Sequence, residues 1–233
     1  MKVVILCGGY GTRISSETIN KPKPMIKIGK SPILEHIINY YKKFNFDDFI
    51  ILTGYKASVI KHYFKRKKKN YKIKFIDTGV GTLTGERLFK IKNEFNKNEN
   101  FMLTYGDGLS NINLNSLLKF HLKHKKIATL SAVRPPARFG EIYLSKDKKR
   151  IKTFAEKPQV SAGWINGGFF VFNLKIFKFL SKDQMLERQP IEKLLKTKNL
   201  YAYKHNGFWQ CLDTLRDKKT LEKLNKLKNI PWS

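Results

Sequence analysis

Acidic residues are scarce in this chain. Its 233 residues hold 18 Asp and Glu against 47 Lys and Arg, a formal net charge of +29. Cysteine is scarcer still: Cys7 and Cys211 stand alone, which excludes a disulfide framework and a cysteine-ligated metal set. No apolar run is long enough to span a bilayer, so no membrane partner is expected. The N-terminal stretch lacks the charged start, apolar block and small-residue cleavage site of a secretory signal, and the expected location is the cytoplasm. So large a positive charge can mark a nucleic-acid binder. Here the lysines are spread over the whole chain, and Asn, Ile, Phe and Tyr are plentiful beside them, as A+T-rich coding produces. Lys65 to Lys69 is the one dense basic run, and it reads as a solvated loop between a helix and a strand. No nucleic-acid motif accompanies it, so no nucleic-acid partner is expected. The diffuse field would instead steer anionic substrates.

What the chain does have is 41% hydrophobic residues, enough for one domain with a full core. Strand-like segments (Val3–Leu6, Phe49–Thr53, Ile73–Asp77, Phe101–Tyr105, Ala128–Val133) alternate with helix-like ones (Pro32–Phe44, Ala57–Tyr63, Thr84–Phe95, Asn113–His124). After Pro135-Pro136 the rhythm changes to short strands at Glu141–Leu144, Ile151–Phe154 and Ile165–Phe172. Helices are expected over Lys175–Leu180 and Pro190–Lys198, a strand over Tyr201–His205, and a closing helix over Thr214–Lys228. The expected fold is a single-domain, Rossmann-like α/β structure. It has a mostly parallel sheet flanked by helices and a small added β region in the C-terminal half.

Two loops would leave the carboxyl ends of strands, where open α/β sheets bind ligands. The first strand runs into Cys7-Gly8-Gly9-Tyr10-Gly11-Thr12-Arg13, and Lys21-Pro22-Lys23-Pro24-Met25 follows. Glycines let backbone N–H groups approach an anion, and Arg13 and Lys23 add fixed positive charge, a layout suited to a triphosphate. Two common phosphate loops do not fit. The dinucleotide fingerprint needs a glycine where Ile14 stands, and a Walker loop ending at Gly29-Lys30-Ser31 needs one at Pro24. The second loop is Gly106-Asp107-Gly108. It serves equally as a tight turn or as a carboxylate holding Mg²⁺ against phosphate, and its place after a central strand favours the metal.

Asp213, just before the last helix, reads as an N-cap or as a second metal carboxylate. Glu156-Lys157 would suit sugar hydroxyls and a sugar phosphate, although an isolated pair before Pro158 reads better as surface. Asn166-Gly167-Gly168 interrupts an apolar strand, which marks a bulge or close ligand approach. His121 and His124 lie one helical turn apart with no third ligand in view, so a solvent-facing helix edge is expected. Cys7 has no base beside it and reads as a small loop residue.

Together G-G-x-G-T-R, P-K-P-M, Y-G-D-G, R-F-G, E-K-P, N-G-G-F and W-Q-x-x-D-T-L-R-D occur in an order that resembles the sugar-1-phosphate nucleotidyltransferases from Met1 to the C-terminal helix. Within that family the chain is most similar to the glucose-1-phosphate cytidylyltransferases. The resemblance implies the nucleotidyltransferase type A fold, with residues 1–133 as a nucleotide-binding half. Residues 134–233 would form the sugar-phosphate half and C-terminal helix. It implies transfer of a nucleotidyl group from an NTP, CTP favoured, to a sugar 1-phosphate, glucose 1-phosphate favoured, with Mg²⁺ as cofactor and a homo-oligomeric state. By motif matching, Leu6, Gly8, Gly9, Gly11, Thr12, Arg13, Lys23, Thr84, Gly85, Thr104, Gly106 and Asp107 would bind nucleotide. Arg13, Lys23 and Asp107 would be catalytic, and Asp107 and Asp213 would hold the metal. Gly140, Glu156, Lys157, Asn166 and Gly167 would line the acceptor pocket. Other nucleotides or acceptors with the same chemistry, and a non-catalytic nucleotide-binding relative, are the alternatives. Arg13, Lys23, Asp107 and Asp213 are all present, which favours an enzyme. The chain departs from the family in having a short lysine-rich stretch, where the cytidylyltransferases carry a long insertion, between Tyr63-Phe64 and Asp77-Thr78-Gly79. In Thr84-Gly85-Glu86-Arg87, the glutamate would add a carboxylate near the base.

Overall fold

In the computed structural model, which describes residues 1–67, 71–96, 99–136, 141–145, 151–155 and 163–233, Lys2–Leu6 is an interior strand of a seven-stranded sheet. The order across the sheet is Leu200–His205, Ala128–Val133, Ile165–Asn173, Asn100–Tyr105, Lys2–Leu6, Asp48–Thr53 and Lys72–Asp77. Ile165–Asn173 runs antiparallel to both neighbours, and the other pairings are parallel. The carboxyl ends Leu6, Thr53, Tyr105 and Val133 therefore share one edge with the start of the reversed strand at Ile165. This is the mostly parallel, single-domain α/β architecture expected.

Parallel strands covered on both faces read as continuous apolar runs. Val3 and Ile5 face a core with Ile33, Leu34, Ile37 and Ile38, the inner side of the Ile33–Lys43 helix. Val4 and Leu6 face a second core with Leu103, Phe170, Phe172, Leu88 and Leu194. Among the described residues no helix is long and apolar enough to cross a membrane.

Several elements differ from expectation. The segment expected as one helix over Thr84–Phe95 is an α-helix at Thr84–Phe89 and a 3-10 turn at Lys92–Glu94. Lys175–Leu180 is a 3-10 stretch at Leu174–Phe179. The closing helix ends at Leu224, short of the expected Lys228; beyond it Leu227 is solvent-exposed, while Ile230 and Trp232 pack onto the core from a non-helical segment. His121 is not on a solvent-facing edge. It is buried, its Nδ1 and His124 Nε2 both meet the Thr129 hydroxyl, and burial lowers its pKa to about 4.

The Lys65–Lys69 run is also not simply a loop. The helix extends over Ala57–Arg66, and Lys67 turns back onto Glu35. Glu35 is buried on the Ile33–Lys43 helix and accepts hydrogen bonds from Tyr63 at 2.6 Å, Tyr71 at 3.0 Å and Lys67 at 3.1 Å. Lys67 and Tyr71, on either side of the short lysine-rich connection, are thus stapled to one carboxylate. Burial alone would push the Glu35 carboxyl up, but bonds from Tyr63, Ser31, Lys67 and Tyr71 hold it at about 2. A carboxyl depressed in the folded state stabilises above its unfolded value and loses that contribution as pH falls toward the folded one. Glu35→Gln is expected to cost about 3 kcal/mol at pH 7. In denaturant titrations the gap to wild type should narrow from about pH 4.5 downward; a gap independent of pH would refute the staple.

Candidate functional site

The glycine loop and the Gly106-Asp107-Gly108 loop leave adjacent strands, and Gly106 N–H donates to Leu6 O at 3.0 Å. Asp107 is then paired with a distant partner by a short ribbon. Gly108–Ser110 runs antiparallel to Trp209–Cys211, with Cys211 opposite Gly108. Leu212 N–H donates to Asp107 O at 2.9 Å, and the next residue is Asp213. Asp213 is not the cap of the last helix. Thr214 caps it in a capping box with Asp217, whose carboxylate also accepts the Asp213 N–H at 3.0 Å. The Asp213 side chain is left to face Asp107.

Lys23 lies between the two carboxylates. Its Nζ is 2.5 Å from Asp107 Oδ2 and also donates to Asp213 Oδ1; Arg13 Nη1 reaches Asp213 Oδ2 at 2.6 Å. Lys23 sits in the Lys23–Met25 3-10 turn and is 8% exposed. Burial would pull its ammonium down, but Asp107 and Asp213 outweigh that and raise its pKa, so it stays charged. Cys7 is buried beside this group, and burial, then Asp107, push its thiol well up, which suits a filler and not a nucleophile.

Two clefts of about 340 and 330 Å³ meet at this cluster. Leu6, Gly8, Gly9, Gly11, Thr12, Lys23 and Thr84 line the first. Thr104, Asn166, Gly167 and Asp213 line the second, and Arg13, Tyr105 and Asp107 belong to both. Thr104, expected at the nucleotide, is therefore placed in the second cleft. Gly85 and Gly106 line neither cleft: Gly85 lies against the 184–186 backbone and Gly106 against Cys7 and Pro24. Asn166, Gly167 and Gly168 form a bulge: the register shifts between Asn166 and Phe170, Gly168 has φ +78°, and Trp209 Nε1 donates to Gly167 O at 2.7 Å. Gly140, Glu156 and Lys157 lie outside the described residues. The Glu86 carboxylate, expected near the base, turns to Lys90 Nζ at 3.0 Å and to the Asp183 N–H at 3.2 Å.

Sequence reasoning missed Arg87, Tyr105, Met185 and Glu187 in the lining of these clefts. Arg87 is buried and holds the glycine loop from below, donating to Gly8 O and Thr53 O at 3.0 Å each and to the Thr78 hydroxyl. A Cβ on Gly8 would stand 2.1 Å from its guanidinium, so a side chain there would displace the buried cation from its hydrogen bond to the loop. The available signal was an arginine placed directly before the apolar pair Leu88-Phe89 of that short helix.

The model of the family described as Nucleotidyl transferase matches residues 2–217. The chain belongs to that family. It is a nucleotidyltransferase, and nucleotidyl transfer onto a sugar 1-phosphate is the activity named in relatives such as the following two. It is 39% identical to "Glucose-1-phosphate cytidylyltransferase" of Salmonella typhi over 255 residues, covering 100% of this chain and 98% of the relative. It is 40% identical to "Probable glucose-1-phosphate cytidylyltransferase" of Bacillus subtilis, covering 98% and 96%. The Salmonella alignment is longer than this chain, so the relative carries residues without a counterpart here. Among solved structures, HddC from Yersinia pseudotuberculosis superposes with a TM-score of 0.75 over 97% of this chain and 99% of its own, at 23% identity, which supports the fold.

Proposed function

We propose that this nucleotidyltransferase moves the cytidylyl group of CTP onto glucose 1-phosphate, releasing pyrophosphate and forming a nucleotide sugar. One observation carries the reading: the Lys23 ammonium, held by Asp107 and Asp213, stands at the join of two clefts that share Arg13 and Asp107. The choice of base and sugar is supported by the printed names of full-length relatives.

The triphosphate lies along Gly8, Gly9, Gly11 and Thr12, with Arg13 and Lys23 on its phosphates. The acceptor occupies the second cleft against Asn166 and Gly167. A phosphate oxygen of the acceptor attacks the α-phosphorus in line as pyrophosphate leaves. Such a transfer depends on alignment and charge neutralisation more than on covalent help. Lys23 stabilises charge that builds on the α-phosphate. Nucleotidyltransferases of this family generally use a divalent metal, and the donor set here fits one: two hard carboxylates, from Asp107 and Asp213, converge on one cation. We assign it as Mg²⁺, which would neutralise phosphate charge beside them. The reading includes a cytoplasmic location and self-association; sedimentation velocity reads the latter directly.

The test is pyrophosphate release with Mg²⁺ over a matrix of CTP, UTP, dTTP, GTP and ATP against sugar 1-phosphates. CTP with glucose 1-phosphate should be fastest. Faster release with another pair would replace the substrates, and silence throughout would overturn the acceptor class.

A further inference from the structure

The wall between the two clefts is held by a carboxylate outside every recognised motif. Residues 183–187 form an irregular segment along the start of the Thr84–Phe89 helix. Glu86 N–H donates to Gln184 O at 3.1 Å. Gly85 permits this approach, because a Cβ there would stand 2.8 Å from Gln184 O. Leu186 N–H then donates to Thr84 Oγ1 at 2.9 Å. That contact uses a lone pair of the hydroxyl and leaves its single proton for Glu187 Oε2, 2.6 Å away. The other carboxylate oxygen, Oε1, accepts the Tyr105 hydroxyl. Burial, reinforced by Glu187, pushes the Tyr105 pKa far up, so this hydroxyl keeps its proton at every working pH.

The three residues are placed differently. Thr84 lines the first cleft, Glu187 lines the second, and Tyr105 lines both. We propose that Glu187 is a positioning residue that couples the two clefts, taking a hydroxyl of the acceptor sugar while it holds Thr84 and Tyr105. A carboxylate accepts about four hydrogen bonds, so one group can serve both hydroxyls and a ligand. An acceptor bound to Glu187 fixes the carboxylate, the carboxylate fixes Thr84, and the nucleotide meets a wall already in place. Each substrate thereby lowers the ordering cost of the other. This rests on the nucleotidyl-transfer reading of the two clefts.

Initial rates of pyrophosphate release over a grid of CTP and glucose 1-phosphate concentrations test it. In wild type the apparent KM for CTP should fall as glucose 1-phosphate rises. Glu187→Gln should raise the KM for glucose 1-phosphate about tenfold, with a smaller change in kcat, and abolish the dependence of one KM on the other substrate. Thr84→Val should abolish the same dependence from the other side of the clasp, whereas Thr84→Ser, which keeps the hydroxyl, should retain it. The Thr84→Val/Glu187→Gln double variant should be no worse than Glu187→Gln alone, because both remove one interaction. Unchanged KM values in Glu187→Gln, multiplying effects in the double variant, or no coupling in wild type would overturn the proposal. If Glu187→Gln does not fold, by circular dichroism and melting temperature, Thr84→Val and Thr84→Ser decide it. A wild type silent with every NTP and sugar phosphate overturns the functional reading itself, an outcome distinct from an active wild type that the variants do not perturb.

Discussion

Asp107→Ala is expected to lower kcat at least about a thousandfold, on the order of 4 kcal/mol of transition-state stabilisation, while the protein stays folded. The fold should survive because the contact that assembles this corner uses the Asp107 carbonyl, which accepts from Leu212 N–H. The ribbon of Gly108–Ser110 and Trp209–Cys211 does not need the side chain. What is lost is one of the two carboxylates that meet at Lys23. Asp213 remains, itself paired with Arg13 and Lys23. A hard divalent cation bound to phosphate oxygens would keep a single protein ligand, and the phosphates would lose the alignment that two ligands impose. Pyrophosphate release checks the rate, and circular dichroism with a thermal melt checks the fold. A variant that turns over within about tenfold of wild type would remove Asp107 from the chemistry.

The resemblance to this family was legible because its motifs fall on strand ends. The apolar runs Val3–Leu6 and Phe101–Tyr105 announce buried strands, and glycines directly after them announce loops at the ligand-binding edge. Both readings need only local sequence. The join of Asp107 to Asp213 was legible only by resemblance. The physical device that makes it is a ribbon with three residues per strand. Strands so short carry no periodicity, and their partners are about a hundred residues apart in the chain. The capping choice at Asp213 and Thr214 was hidden for a related reason. Both residue types cap helices well, and the Asp217 carboxylate settles the matter by bonding Thr214. Glu187 was invisible because its significance comes wholly from Thr84 and Tyr105, on two other elements. The His121 error runs the other way: histidines one turn apart look exposed until Thr129, on a neighbouring strand, takes both.

Lys23→Ala removes the cation that bridges Asp107 and Asp213. With only 11% of its side chain exposed, Lys23 pairs with both Asp107 and Asp213, and Arg13 pairs with the other oxygen of Asp213 from a side chain 72% exposed. Without the ammonium two carboxylates are left facing each other, a like-charge arrangement that costs about 2 kcal/mol in a partly buried setting. The ligand-free variant should therefore melt below wild type. A divalent cation can restore the balance where Lys23 stood, so Mg²⁺ at about a hundred times its Kd should return about 2.7 kcal/mol to the variant. Wild type, whose carboxylates are already compensated, should respond far less to Mg²⁺ alone. In turnover the cation that faces the α-phosphate is gone, and kcat is expected to fall by roughly 10² to 10⁴ with a smaller rise in the KM for CTP. A rise in KM alone would make Lys23 a ground-state phosphate binder. Equal thermal shifts with Mg²⁺ in wild type and variant would mean that Asp107 and Asp213 are not a metal pair, whatever the rates show. The melt thus tests the carboxylates by a route that turnover cannot, since it needs no substrate.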